Sequence, residues 1–192
     1  MKATRPALVL VAVLAVGGLT ACTAVTTANA PTTAAVETAA SVASASLWDS
    51  SVVHDIEVTI ADADLNSVLE TYTSTGEKIW VSATVVIDGV TFENVGIKLK
   101  GNSTLRVVSS DSGGSELPWL IRLDKYVDGQ NLDGETELVV RGNSSETALN
   151  EAVALELLSE AGLASQEAIS SRFSVNGGAT QLRLVIQNPD ED

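Results

Sequence analysis

The sequence predicts an α+β fold in which a mostly antiparallel sheet packs against two helices. Three observations support this prediction. Several short segments alternate apolar and polar residues, as half-buried strands do. Two pairs of these segments are joined by tight turns, Asp88-Gly89 and Asn176-Gly177-Gly178. Two other segments carry apolar residues at helical spacing. The predicted order is strand, helix, three or four strands, long helix and a final hairpin.

The first predicted strand spans residues 54–60, where Ile56, Val58 and Ile60 alternate with polar residues. A helix follows, with Asp62 or Asp64 as its N-cap. Its predicted buried face consists of Leu65, Val68, Leu69 and Tyr72.

The pattern of apolar residues in the middle of the chain predicts a group of strands. Residues 79–87 are rich in β-branched and apolar side chains, and Asp88-Gly89 turns them back into a strand that ends at residue 100. Two further strands are predicted at residues 117–124 and 137–141. Consecutive strands with short connections favour an antiparallel sheet.

The longest helix is predicted after Asn143, with Ser145 as its N-cap and Gly162 just past its end. Its predicted apolar stripe consists of Leu149, Ala152, Val153, Leu157 and Leu158. Residues 169–175 and 182–186 then form the second hairpin.

The N-terminus has the features of a bacterial lipoprotein signal. Residues 1–21 combine two basic residues with an apolar core that is too short to span a bilayer. The signal ends in Leu-Thr-Ala before Cys22, which resembles a lipobox, and Cys22 is then the lipidated residue. The alternative is an ordinary secretory signal in which Cys22 is incidental. On the first interpretation the protein is lipid-anchored at the extracytoplasmic face of a bacterial cell membrane.

The remainder divides by composition. Residues 22–46 are almost entirely Ala, Thr, Val and Ser and predict a disordered tether. Residues 47–188 form one predicted globular domain, and residues 189–192 an acidic tail. Because Cys22 is the single cysteine, no intrachain disulfide can form.

The charge of the chain restricts its partners. It has 25 acidic and 11 basic residues, a net charge of −14. Removing Lys2 and Arg5 with the signal leaves 9 basic residues and a net charge of −16. This charge argues against nucleic acid as a partner and against electrostatic docking on anionic lipid. Attachment to the membrane would therefore depend on the lipid at Cys22.

The basic residues are unevenly placed. Alternation along the strand that ends at residue 100 puts Lys98 and Lys100 on the polar face, next to the loop of Gly101, Asn102 and Ser103. Arg122 is predicted on the same face of the sheet. Six of the nine mature basic residues lie in this part of the chain: Lys98, Lys100, Arg106, Arg122, Lys125 and Arg141. Positive charge beside a glycine-containing loop suits a bound phosphate. The alternative is a solvated outer face whose lysines pair with nearby carboxylates.

Two single residues suggest further roles. Glu151 on the long helix could pair with a lysine of the sheet, as the nucleotide-binding lysine of kinases does with a helix glutamate. The alternative is an ordinary surface carboxylate. His54 is the only histidine, so a zinc-type metal site is not predicted, and the sequence has no Walker loop.

Four segments in series suggest a family. They are G-I-K-L-K-G-N-S at residues 96–103, L-I-R-L-D-K-Y at 120–126, the helix at 149–163, and F-S-V-N-G-G followed by R-L-V-I up to residue 186. Together they resemble the spore coat protein H (CotH) kinase family over nearly all of the globular part. The family usually has a lysine-containing strand where this chain has Leu120-Ile121-Arg122.

The resemblance implies an atypical protein kinase that uses ATP and a divalent metal. It implies that Lys98, Lys100, Arg122 and the 101–103 loop face the nucleotide and that Glu151 is the helix partner. Kinases of this family continue well past the point where this sequence stops, and their catalytic and metal-binding acidic residues lie in that later lobe. The expectation is therefore an N-terminal kinase lobe alone, inactive by itself. Apolar surface at Leu182, Leu184 and Ile186 would then be left open.

The alternative function belongs to another class. It is a non-enzymatic cell-surface module that binds a protein partner through its exposed sheet face.

Overall fold

The computed structural model describes residues 46–142 and 149–188. The signal peptide, Cys22, nearly all of the predicted tether, the predicted cap Ser145 and the acidic tail lie outside these residues. The described part contains seven strands: β1 (Val53–Ile60), β2 (Val81–Ile87), β3 (Val90–Leu99), β4 (Trp119–Arg122), β5 (Glu137–Val140), β6 (Ala168–Val175) and β7 (Gln181–Gln187). It also contains α1 (Asp62–Thr75), α2 (Asn150–Glu160) and two short 3-10 helices, Thr104–Val107 and Gly114–Glu116.

The seven strands form a closed barrel in the order β1-β2-β3-β4-β5-β7-β6. Six of the pairings are antiparallel, and the barrel closes through a parallel pairing of β1 with β6. In this pairing Val53 lies opposite Ser170 and Val58 opposite Val175. The predicted α+β fold with helices packed on a sheet, resembling a kinase N-terminal lobe, is therefore wrong. Alternation marks a half-buried strand but does not identify its neighbours, so the closing pair left no local signal.

The barrel interior is the main core. Along β1 the buried residues alternate with exposed ones, and Ile56, Val58 and Ile60 point inward. Trp119 and Phe173 are among the largest side chains with no exposure. The two predicted hairpins are confirmed, since β2 pairs with β3 and β6 with β7 in antiparallel register.

Helix α1 adds to this core. Val68 and Leu69 are buried and belong to the same cluster as the barrel interior, with Leu65 and Tyr72 packed against it. The predicted buried face of this helix is therefore confirmed. Its N-cap is Ala61, so Asp62 and Asp64 lie in the first turn instead of capping it. Acidic side chains in a first turn still interact favourably with the helix dipole.

Helix α2 packs differently from the prediction. Gly162 follows its end as expected, but no residue of the helix is buried. Leu149, Val153 and Leu157 of the predicted stripe are 46%, 64% and 68% exposed. Of the predicted stripe, Ala152 does pack against the barrel, together with Leu155, which the prediction did not include. The helix has apolar residues on two sides, and the pattern alone did not show which side packs.

A second, smaller apolar cluster lies on the outside of the barrel. Leu120, Val139, Leu184 and Ile186 form it, covered by Trp80, Ala152, Leu155 and Ala168. Leu184 and Ile186 are only 3% and 4% exposed, so the expectation that they would be open is wrong for these two. Leu182 is 47% exposed. Among the described helices, none is long and apolar enough to span a bilayer.

Candidate functional site

Six basic side chains gather on the outside of the barrel, around the ends of β3, β4 and β5. We call this set the basic face; it consists of Lys78, Lys98, Lys100, Arg122, Lys125 and Arg141. The strand register accounts for the placement of its centre. Lys98 lies opposite Leu120, and Arg122 lies between Gly96 of β3 and Glu137 of β5. The side chains of Lys98 and Arg122 point away from the barrel interior because alternate residues of a strand share one side.

A cavity of about 650 Å³ lies between this face and α2. Lys100, Arg122 and Arg141 line it, together with Glu137, Glu151 and Asn188. Val139 and Ile186, from the outer apolar cluster, also line it. The cavity therefore has a charged and polar frame, and the two apolar residues at its floor are almost completely buried.

The two arginines of the cavity are held by carboxylates. Nε of Arg122 lies 2.8 Å from Asp124 and Nη1 lies 3.2 Å from Glu137. Nε of Arg141 donates to Oε2 of Glu151 at 2.8 Å. The hydrogen bond to Asp124 raises the pKa of Arg122 above its usual value. Both guanidinium side chains remain about two-fifths exposed, at 41% and 40%. They are thus oriented but still accessible to a ligand.

The lysines of the basic face form no salt bridge within the described residues. Nζ of Lys98 lies 4.5 Å from the centre of the Trp80 ring, and Nζ of Lys125 lies 5.0 Å from it. Burial lowers the pKa of Lys98, and the positive charges of Lys100, Lys125 and Lys78 lower it further, against an opposing effect of Glu137. Positive charge therefore exceeds negative charge on this side of an acidic protein.

Asn188 bridges two residues of the cavity, Lys100 and Glu137. Nζ of Lys100 donates to Oδ1 of Asn188 at 3.1 Å, and Nδ2 of Asn188 donates to Oε2 of Glu137 at 2.6 Å. The amide thus holds the ammonium of Lys100 over the cavity without neutralising its charge.

Gly96 makes room for the lysine and tryptophan. A Cβ atom at this position would lie 2.5 Å from Cβ of Lys125 and 3.2 Å from Cε3 of Trp80. Such distances are shorter than van der Waals contact, so only glycine lets both side chains lie against β3 here.

The loop of Gly101, Asn102 and Ser103 lies at the edge of this face. The carbonyl oxygen of Gly101 and Oδ1 of Asn102 accept hydrogen bonds from Nζ of Lys78. The loop therefore presents acceptors to a lysine.

The structure brings together four of the residues that the sequence singled out, Lys98, Lys100, Arg122 and Glu151. Glu151 pairs with Arg141 and not with a lysine. Sequence reasoning missed Lys78, Trp80 and Asn188. The segment Glu77-Lys78-Ile79-Trp80 has no period, and its one signal is a tryptophan two residues after a lysine.

His54 lies away from this face and is 1% exposed. Its Nδ1 lies 2.6 Å from Oδ2 of Asp88, and its Nε2 lies 3.2 Å from the carbonyl oxygen of Asp49. These contacts fix the segment before β1 against the β2–β3 turn. Within residues 46–142 and 149–188, no group of three or more His, Cys, Asp and Glu is arranged to hold a metal ion.

Comparison with models of known protein families finds no match for this sequence. Comparison with curated proteins finds no significant match either. The resemblance to the CotH kinase family therefore stays a prediction from the motifs.

Proposed function

We propose that this chain is a lipid-anchored surface protein whose basic face binds a phosphate-bearing small molecule, with a nucleotide as the first candidate. The proposal is for binding alone, because the resemblance already implies a chain that is inactive by itself and the described residues form a closed barrel, not a kinase lobe. The anchor in this proposal is a lipid on Cys22, with residues 22–46 as the tether.

The observation that carries the proposal is the group of unpaired lysines. Lys98, Lys100 and Lys125 lie together without carboxylate partners among the described residues, in a chain with a net charge of −14. Like charges held close together repel, and the pKa of Lys98 is lowered by burial first and by that repulsion second. A bound anion would neutralise the excess charge, which favours a ligand with several negative charges.

The two arginines add geometric selectivity. A guanidinium group binds the oxygens of a phosphate through two parallel hydrogen bonds, while an ammonium group acts as a point charge. Arg122 and Arg141 are already oriented by Asp124, Glu137 and Glu151. Their positions therefore need little reordering when a phosphate binds.

The size and surface of the cavity suit a nucleotide. Its volume of about 650 Å³ lies within the common range for small-molecule sites, roughly 300–1,000 Å³. Val139 and Ile186 lie at its floor with only 2% and 4% exposure, so charged and polar side chains supply most of the surface that a nucleotide would contact. Inorganic phosphate would contact only part of that charged surface.

The test is calorimetric titration of the mature chain in detergent micelles with ATP, pyrophosphate and inorganic phosphate. We expect saturable binding that is tightest for ATP. The double variant Lys100→Ala/Arg122→Ala should weaken it by about tenfold or more, because each charge-assisted hydrogen bond contributes roughly 1.5–3 kcal/mol. Arg172→Ala is the matched control, since Arg172 lies on β6 on the other side of the barrel, paired with Asp55.

Two results would contradict the proposal. One is the absence of binding by any of the three anions to a cooperatively folded chain. The other is an equal loss of affinity in Lys100→Ala/Arg122→Ala and in Arg172→Ala, which would indicate only nonspecific charge attraction. Either result would favour the alternative, a non-enzymatic protein-binding module.

A further inference from the structure

The outer side of α2 carries apolar residues that the barrel does not cover. Val153 and Leu157 are 64% and 68% exposed, and they lie one helical turn apart. A groove of about 560 Å³ runs beside them, between α2 and the segment that leads into β6. Leu155 and Ala168 also line it. We call this surface the α2 groove.

The α2 groove has acidic walls. Glu156, Glu160 and Glu167 line it, and no lysine or arginine lines it in the part of the chain that the structure describes. Arg141 and the basic face lie on the other side of the helix, where Glu151 pairs with Arg141. Helix α2 thus separates a cationic cavity from an apolar groove with anionic walls.

We propose that the α2 groove binds an amphipathic helix of a partner protein that presents apolar side chains flanked by lysine or arginine. Apolar anchors at helical spacing would pack on Val153, Leu155 and Leu157, and the basic residues would meet Glu156, Glu160 and Glu167. This inference does not depend on the proposed phosphate site, because Gln166 is the one described residue that lines both the cavity and the α2 groove.

Charge complementarity decides between this occupant and three others. A second copy, with the same net charge of −14, would bring glutamates against glutamates when docked groove to groove. The cations of its basic face lie on strands and loops, not on an amphipathic helix. An anionic membrane surface would be repelled by the same net charge. Residues 23–46 of the chain itself contain no lysine or arginine, and their one charged residue is Glu37. A basic segment of another protein is the occupant that satisfies both the apolar floor and the acidic walls.

The experiment uses two designed helical peptides of about 18 residues, about five turns, titrated into the mature chain. One peptide carries leucine at helical spacing with lysine elsewhere, and the other replaces every lysine with glutamate. We expect the lysine peptide to bind and the glutamate peptide to bind at least about tenfold more weakly. Val153→Asp/Leu157→Asp should lower the affinity for the lysine peptide by about tenfold or more, because the apolar contacts are lost.

Val107→Asp is the matched control, since Val107 is 86% exposed on a 3-10 helix outside the groove. It should leave the affinity unchanged. The Glu156→Gln/Glu160→Gln variant keeps the apolar surface. It should bind the lysine peptide more weakly, and that binding should depend less on salt concentration. These glutamine variants keep the test decisive if the aspartate variants fail to fold.

Several outcomes would overturn the proposal. They are equal binding of both peptides, no binding of the lysine peptide, and an effect of Val107→Asp as large as that of the groove variants. Self-association in sedimentation that Val153→Asp abolishes would identify a second copy as the occupant. Binding of the unlipidated Cys22→Ser chain to vesicles of phosphatidylcholine with phosphatidylglycerol, lost in Val153→Asp, would identify a membrane.

Discussion

Lys98 holds its ammonium group 4.5 Å from the centre of the Trp80 ring, and Lys125 approaches the same ring at 5.0 Å. Two cations share one aromatic partner on the outside of a barrel. The ring also covers the outer apolar cluster of Leu120, Val139, Leu184 and Ile186. Trp80 therefore links the stability of this side of the barrel to the positions of two cations of the basic face.

Gly96→Ala should disturb that arrangement. The new methyl group would overlap Cβ of Lys125 and press on Trp80, so we expect a loss of about 1–3 kcal/mol in the free energy of unfolding. Affinity for ATP should fall as well, because Lys125 leaves its position. Urea denaturation and calorimetric titration measure the two effects.

Gly113→Ala is the control for this substitution. A Cβ at Gly113 would meet only Glu116, at 3.8 Å, and the backbone there is extended with φ −66°. We expect stability to stay within about 0.5 kcal/mol of the parent. Equal stability of the Gly96 and Gly113 variants would show that Lys125 and Trp80 can leave β3 without loss.

The pH dependence of anion binding should report on Lys98. Burial and the neighbouring cations hold its pKa below the usual 10.5. A bound anion favours the charged ammonium, so ATP affinity should fall as pH rises through this lowered pKa. The fall should therefore begin at a lower pH than ordinary lysines would produce. Titrations across the alkaline range, with circular dichroism to confirm folding, measure it.

Two variants test whether Lys98 causes this fall in ATP affinity, which appears as an inflection in a plot of affinity against pH. Lys98→Met should remove the inflection that Lys98 produces in the pH dependence of ATP affinity. Lys125→Met removes a neighbouring positive charge, so it should move the inflection to higher pH. An inflection that is unchanged in Lys98→Met would mean that another group controls binding.

The N-terminal prediction is tested in a bacterial host. If Cys22 is lipidated, the wild-type chain should partition into the detergent-rich phase of a Triton X-114 separation, and Cys22→Ser should stay in the aqueous phase. Mass spectrometry of the mature N-terminus should show a lipid on Cys22. An unmodified wild-type chain cleaved at another residue would support the ordinary secretory signal.

Local signals explain which parts of the fold could be predicted. The Asp88-Gly89 turn lies between two alternating segments, so the β2–β3 pairing could be read from adjacent residues. The parallel pairing of Val53–Val58 with Ser170–Val175 joins segments that are far apart in sequence. Nothing in either strand marks the other as its partner, and the closed barrel could therefore not be predicted.

The same contrast holds at the candidate site. Lys98, Lys100 and Arg122 were predicted on one face because strand alternation determines their side. Trp80 and Lys78 precede β2 in an irregular segment, where no period indicates direction. On α2, Val153 and Leu157 lie on the outer side, while Ala152 and Leu155 lie on the side that packs against the barrel. The small side chain of Ala152 permits close approach to the barrel, which the pattern of apolar residues does not reveal.

Arg183 offers a test of the barrel itself. It points into the interior with 3% exposure; Nη2 donates to the carbonyl oxygen of Leu117 at 2.9 Å, while Nε has no partner within the described chain. Burial lowers its pKa below the usual value, against an opposing effect of Glu116.

An unsatisfied buried donor costs roughly 1–3 kcal/mol, so Arg183→Met should raise the free energy of unfolding by about 1 kcal/mol, because the lost bond to Leu117 offsets part of the gain. Arg183→Ala should lower stability, because it leaves a cavity. Arg106→Met, at an exposed arginine, should change little in the same urea titration. A destabilised Arg183→Met variant would instead mean that the guanidinium group stabilises this end of the barrel.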